Sequence, residues 1–313
     1  MIDNRKMQID TLRGIACILL VSYHVIGSTP MQGMKISTGL LREINDLFVY
    51  IRMPLFAFIS GVLYGFRPIK SDYFVFIKKK TSRLLYPLLT VGTLFAFLQY
   101  YIPGTNGGDI DLKFIHIIPV GHYWFLEAIF LVFCFVVLLE YYKAFDNFFI
   151  SCFLILICIS TYLYGVEVNY FSLSGFVYLL PFFLYGMMTT RYQSFSHKLY
   201  LLLLVVSFVF IFKIFIDFDG RAETILVGFM SCIFLFLLKL RVRILAYIGL
   251  YSFSIYLFHV FFTASSRIIL NKIGFFDMEI IFLIGLVLGV LGPIVTDKIF
   301  SSNTHVKYFV LGK

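Results

Sequence analysis

The chain has 313 residues, of which 60% are hydrophobic and 14% charged, with a mean hydropathy of +0.93. Soluble domains carry about 25% charged and about 45–50% apolar residues, so this composition excludes a water-soluble globular protein and describes an integral membrane one. The net charge of +9 would suit a nucleic-acid binder, but the basic residues sit in short stretches between apolar runs, which is how membrane orientation is encoded.

Long apolar runs, rather than ten-residue alternation, call for helices instead of a barrel. With about 20 apolar residues needed per crossing, ten candidate spans emerge, near 12–29, 47–66, 84–102, 123–140, 149–165, 171–189, 198–216, 222–238, 244–268 and 279–300. The expected fold is therefore an all-α integral membrane protein of about ten transmembrane helices, with residues 1–313 forming a single domain. Pro181 is expected to kink the sixth span, because proline removes a backbone donor. No cleavable leader is read at the start, so the first span is expected to stay.

Charge sets the orientation. After the second span come Arg67, Lys70, Lys78, Lys79, Lys80 and Arg83 with one acid, Asp72, a loop that belongs in the cytoplasm. Alternating from there assigns all but eight of the 26 basic residues (Lys35, Arg42, Arg52, Lys113, Lys213, Arg221, Arg267 and Lys272) to the cytoplasmic side. Both termini are then cytoplasmic. The longest outer loop, 103–122, begins PGTNGGDID and reads as a turn-rich cap. The five cysteines, at 17, 134, 152, 158 and 232, lie in apolar runs without metal spacing, so neither a disulfide nor a bound metal is expected.

Ionisable residues within spans are costly and point to function. Arg13 and His24 lie in the first span, about 16 Å apart along the axis and roughly three turns on, hence on one face. Arg52 falls in the outer half of the second span, close to the depth of His24. Trp124 and His122 stand at the outer entrance of the fourth, with Glu127 one turn in. His259 lies in the outer half of the ninth. Each has a plainer role open to it. Arg13, Lys80 and Arg83 serve equally as orientation anchors, Arg52 as a snorkelling side chain, Trp124 as an interface belt residue, and His24 or His259 as packing bridges. The depths of His24, Arg52, Trp124 and His259 suggest one pocket in the outer half.

Asp10, Leu12, Arg13 and Gly14, followed by His24 in an Arg-x10-His spacing, resemble the first helix of the acyltransferase type 3 family, multi-pass membrane O-acyltransferases of surface polysaccharides. Other segments are similar to the family in order: MPLFAFISG (Met53 to Gly61), Lys80-Thr-Ser-Arg83 before Pro87, HYWFLEAIF (His122 to Phe130) and YSFSIYLFH (Tyr251 to His259). Lys80 departs from the family's usual Arg-x-x-Arg pair.

The resemblance implies an acyl-CoA donor, most often acetyl-CoA, entering from the cytoplasm, and a glycan or lipid-linked saccharide acceptor on the far side. It casts His24 as the catalytic residue, a base for the attacking hydroxyl or a carrier of the acyl group. From their own placement, Arg52 could polarise the thioester carbonyl or pair with a carboxylate, and Glu127 could serve as an acid or as a partner of His24 or Arg52. Arg13, Lys80 and Arg83 would hold the donor's phosphates, and His122, Trp124 and His259 the acceptor. No metal and no nucleic acid are implied. The expected location is a bacterial plasma membrane, among lipids and with a glycan-assembly partner in view. A glycan-precursor transporter or flippase explains the helices and charges as well, but not the series of motifs.

Overall fold

The computed structural model describes residues 4–103, 105, 110–165, 167–192, 201–202, 205–209, 220–275 and 277–313. Helices account for all its regular structure, and no strand occurs among the described residues. In an apolar phase every backbone N–H and C=O must be satisfied within the segment, and these runs of Leu, Ile, Val and Phe do so helically. The helices are α1 (Asn4–Ile26), α2 (Leu40–Leu47), α3 (Val49–Phe66), α4 (Tyr73–Lys80), α5 (Thr93–Tyr101), α6 (Trp124–Tyr141), α7 (Phe148–Tyr164), α8 (Leu173–Arg191), α9 (Arg221–Leu237), α10 (Arg243–Leu250), α11 (Ser252–Lys272), α12 (Met278–Phe300) and α13 (Thr304–Leu311).

Seven helical stretches among the described residues are long and apolar enough to cross a membrane: Asn4–Ile26, Leu40–Phe66, Tyr73–Tyr101, Gly121–Tyr141, Tyr170–Arg191, Ser252–Lys272 and Met278–Phe300. This is a membrane protein. The spans expected fifth and eighth correspond to α7 and α9, apolar helices of 17 residues each. The one expected near 198–216 lies largely outside the described residues. Pro181 sits inside α8, which runs unbroken through it.

The ninth expected span, 244–268, is corrected by the structure. It is two helices, α10 and α11, parted at Tyr251, whose backbone (φ −99°, ψ 13°) leaves the helical region. The reason is that α10 is tied to α1. Val242 N–H donates to Thr11 Oγ1 at 3.2 Å. At the other end Gly249 meets the Asp10 carbonyl so closely that a Cβ there would lie 1.8 Å from that oxygen. Gly14 makes the reciprocal approach, where a Cβ would fall 2.0 Å from Leu245 O. A segment held this tightly against α1 does not continue the line of α11.

The helices pack into two compact units. The first is Met1–Arg52, Tyr86–Tyr123 and Leu240–Lys313; the second is Met53–Leu85 and Trp124–Lys239. Each is assembled from separated segments of similar apolar composition, which is why no composition break marks them. In the first unit α1 packs against α10, α11 and α12, and α11 packs along α12. In the second α8 packs against α6 and α7, and α9 joins α7 and α8.

The C-terminal end of α1 is closed by side chains from α2. Arg42 donates to Gly27 O at 3.0 Å and Ser28 O at 3.1 Å, Asn45 donates to Gly27 O at 3.3 Å, and Arg42 is held in turn by Asp46 at 2.9 Å. Terminal carbonyls carry the negative end of the helix dipole, so an arginine there is favourable. His24 sits in this last turn, and its position depends on that closure.

Replacing Gly249 by valine is expected to force α10 off α1, at the cost of about 1–3 kcal/mol typical of overpacking. The apparent melting temperature in detergent should fall by several degrees, while Leu291→Ala on the exposed face of α12 should leave it nearly unchanged.

Candidate active site

Three imidazoles come together in the first unit. His24 is in the last turn of α1, His122 in a 3-10 turn, Gly121–Tyr123, and His259 in the middle of α11. Their ring centroids are 4.8 Å apart for His24 and His259, 4.8 Å for His122 and His259, and 5.5 Å for His24 and His122. His259 is fully buried and His122 nearly so, while His24 is half-buried.

The two buried rings are held by different means. His259 Nδ1 lies 2.8 Å from Ile255 O and 3.0 Å from Tyr256 O. Carbonyl oxygens only accept, so Nδ1 carries the proton and Nε2 is left as a bare lone pair. His122 is positioned through its backbone: Tyr256 Oη donates to the His122 carbonyl. The adjoining Tyr123 Oη donates to Leu257 O at 2.6 Å. These two bonds fasten the 121–123 turn to α11. Phe95 packs edge-on to His122 at 5.4 Å and Tyr256 at 5.3 Å.

Neither ring nitrogen of His122, nor Nε2 of His259, has a hydrogen-bond partner among the described residues. A buried polar atom left unsatisfied costs about 1–3 kcal/mol, and buried polar groups nearly always find partners. Three such atoms within one cluster mark a place shaped for a polar ligand.

Arg52, in the first turn of α3, belongs to the same unit. Its guanidinium carbon lies 4.2 Å from the centre of the Tyr23 ring, and that ring is 5.1 Å from His24. Asn45 anchors the guanidinium, its Oδ1 accepting from Arg52 Nη2 at 2.8 Å and its backbone carbonyl from the same atom. Arg52 is buried rather than snorkelling outward.

Of the residues singled out by depth, His24, Arg52 and His259 lie close together. His122, assigned to the entrance of its span, completes the group. Tyr23, Asn45, Tyr123 and Tyr256 escaped the sequence analysis, although Tyr256 and His259, three apart on one helix face, both lie within the YSFSIYLFH segment.

Arg13 pairs with Asp10 at 3.0 Å, one turn away on the half-exposed side of α1.

The remaining candidates belong to the second unit. Trp124 begins α6, with Gly175 directly under its ring and Tyr178 6.4 Å away. Glu127 is buried and accepts a hydrogen bond from Ser172 Oγ at 2.7 Å. Lys80 ends α4 with its ammonium 3.6 Å from the centre of the Phe133 ring and 5.1 Å from that of Phe76, a cation–π arrangement. Arg83 is exposed within the π-helical stretch Thr81–Leu85 that follows. Such stretches often occur at functional positions.

A family model described as an acyltransferase domain matches residues 8–298, nearly the whole chain. The chain belongs to the acyltransferase type 3 family. No curated protein and no solved structure matched it. Membership makes this membrane protein an acyltransferase.

Tyr256→Phe removes the donor to the His122 carbonyl and is expected to cost about 1 kcal/mol. Hydrogen exchange read by mass spectrometry should quicken across residues 121–123 and stay unchanged in α12. Equal exchange in both proteins would show that the tyrosine does not hold the turn.

Proposed function

We propose that this acyltransferase moves an acyl group, most simply acetyl, from cytoplasmic acyl-CoA to a hydroxyl of a cell-surface or lipid-linked glycan. It would act in the plasma membrane of a bacterium. The observation that carries this reading is the buried imidazole cluster around His24, beside the charge of Arg52, in a chain of the acyltransferase type 3 family.

The chemistry follows from those groups. A neutral imidazole works near its own pKa at physiological pH, which makes it an efficient general base. His24 takes the proton of the acceptor hydroxyl as that oxygen bonds to the thioester carbonyl carbon. The carbonyl electron pair moves onto oxygen, and the fixed positive charge of Arg52 stabilises that developing oxyanion. When the tetrahedral centre collapses, the C–S bond breaks and the departing thiolate recovers the proton from the His24 imidazolium. The lone pair of His259 Nε2 and the ring nitrogens of His122 supply hydrogen-bonding positions for the sugar hydroxyls.

The basic residues Lys80 and Arg83, with Arg13, are assigned to the donor's phosphates, since guanidinium offers a two-pronged phosphate fork and ammonium a point charge. Trp124 offers an aromatic face to a sugar ring. Glu127, buried beside Ser172, is assigned as an acid.

The test measures glycan O-acyl ester in cells carrying the intact protein, His24→Ala, Arg52→Gln, Arg52→Lys or no copy, at matched membrane levels. Loss of the base is expected to lower transfer by roughly 10²–10⁴-fold. Loss of the Arg52 charge should lower it by about 10²–10³-fold, with partial recovery in Arg52→Lys. Ester retained in His24→Ala would remove His24 from the chemistry. Unchanged ester with impaired polymer export in the null would favour a transporter.

A further inference from the structure

We propose that His24, His122 and His259 form a reversible binding site for a divalent transition metal of the zinc class. The bound metal occupies the His24 nitrogen needed for acyl transfer and so switches the transfer off. The metal-binding half stands on the geometry alone; the inhibitory half rests on His24 being the base, as proposed above.

The donor set selects the metal. One nitrogen from each ring lies within 4.8 Å of the other two, and all three ligands are imidazoles. Imidazole suits zinc, copper and nickel, whereas magnesium and calcium require oxygen ligands. Zinc bound by histidine has Zn–N distances of about 2.0–2.1 Å, which place tetrahedral nitrogens about 3.4 Å apart. Closing from the observed separation takes side-chain adjustments on the order of 1 Å, within reach of the half-buried His24 ring in the last turn of α1.

Two further features fit a metal ligand set. His259 gives its Nδ1 proton to backbone carbonyls, the outer-shell bond that metal-ligating histidines nearly always make, and this aims the Nε2 lone pair away from its helix. His122 keeps both nitrogens without a hydrogen-bond partner among the described residues, so it can offer either one.

Electrostatics decides between a resident and a transient metal. The three ligands are neutral, and the nearby Arg52 guanidinium, 4.2 Å from Tyr23 beside His24, repels a second positive charge. Like charges in a partly buried setting oppose each other, which weakens the hold on a metal. The site therefore exchanges its metal, and a metal that comes and goes on a catalytic base acts as an inhibitor. The exclusion is a matter of one electron pair: the His24 nitrogen lone pair either accepts the hydroxyl proton or bonds the metal.

No short metal-ligand spacing announces this site, because residues 24, 122 and 259 lie far apart in the chain.

The experiment uses the full chain, purified in detergent, stripped with chelator and titrated with Zn²⁺, with Co²⁺ as the spectroscopic probe. One equivalent of zinc should bind, and cobalt should give the intense visible absorption of a tetrahedral site. His122→Ala and His259→Ala should each weaken binding at least tenfold. If His259→Ala fails to fold, His122→Gln carries the test, since the backbone carbonyl that holds the turn is untouched. Acyl transfer should fall at least tenfold at saturating zinc and return on adding chelator.

Zinc binding no tighter than in the His24→Ala/His122→Ala/His259→Ala triple variant overturns the site. Bound zinc with undiminished transfer, or transfer lost on chelation, overturns the inhibitory role. Zinc bound through these residues in a protein with no acyl transfer under any condition leaves the metal site standing and removes the proposed function.

Discussion

The proton on His259 Nδ1 belongs to the backbone of its own helix. Because it is shared with the carbonyls of Ile255 and Tyr256, the ring of a fully buried residue is fixed in one tautomer and one orientation. That bond costs the helix nothing, since a carbonyl has a second lone pair after its helical hydrogen bond. It leaves Nε2 without a proton, facing two other imidazoles. The chemistry of the cluster depends on this, because a neutral nitrogen lone pair in an apolar setting will accept from a hydroxyl or bind a metal, and does not remain idle cheaply.

Around that ring the first unit is built by short polar ties in an otherwise apolar interior. Tyr256 and Tyr123 bind the 121–123 turn to α11. Arg42 and Asn45 close the end of α1, and Asn45 also anchors Arg52. One asparagine thus links the helix end that carries His24 to the charge beside it. The close approach of α10 at Gly14 and Gly249 sets α1 from its other end. Gly14 therefore has a packing reason to stand in the Asp-x-Leu-Arg-Gly segment, quite apart from chemistry.

Much of this was legible in the chain. The membrane class, the helical architecture and the family follow from hydropathy, spacing and local motifs. The division of the ninth apolar run at Tyr251 was not legible, because its composition is continuous; what parts it is contact with α1. Nor was the place of His122. Counting rise per residue put it at the mouth of its span, and depth along an axis says nothing about which way a turn folds back. The partner of Glu127 was equally out of reach. Ser172, which supplies its hydrogen bond, lies 45 residues away in a 3-10 turn.

The sequence by itself determined that this chain is a helical membrane acyltransferase with ionisable residues inside its spans. Hydrophobicity, helical periodicity and family motifs are properties of consecutive residues, so they can be read without coordinates. Only the tertiary structure decided that three histidines from distant segments share one cluster, that His259 is a fixed lone-pair donor, and that Arg52 stands over Tyr23 next to His24. Those facts come from backbone carbonyls, tyrosine hydroxyls and close helix contacts between residues remote in the chain, and no local pattern encodes them.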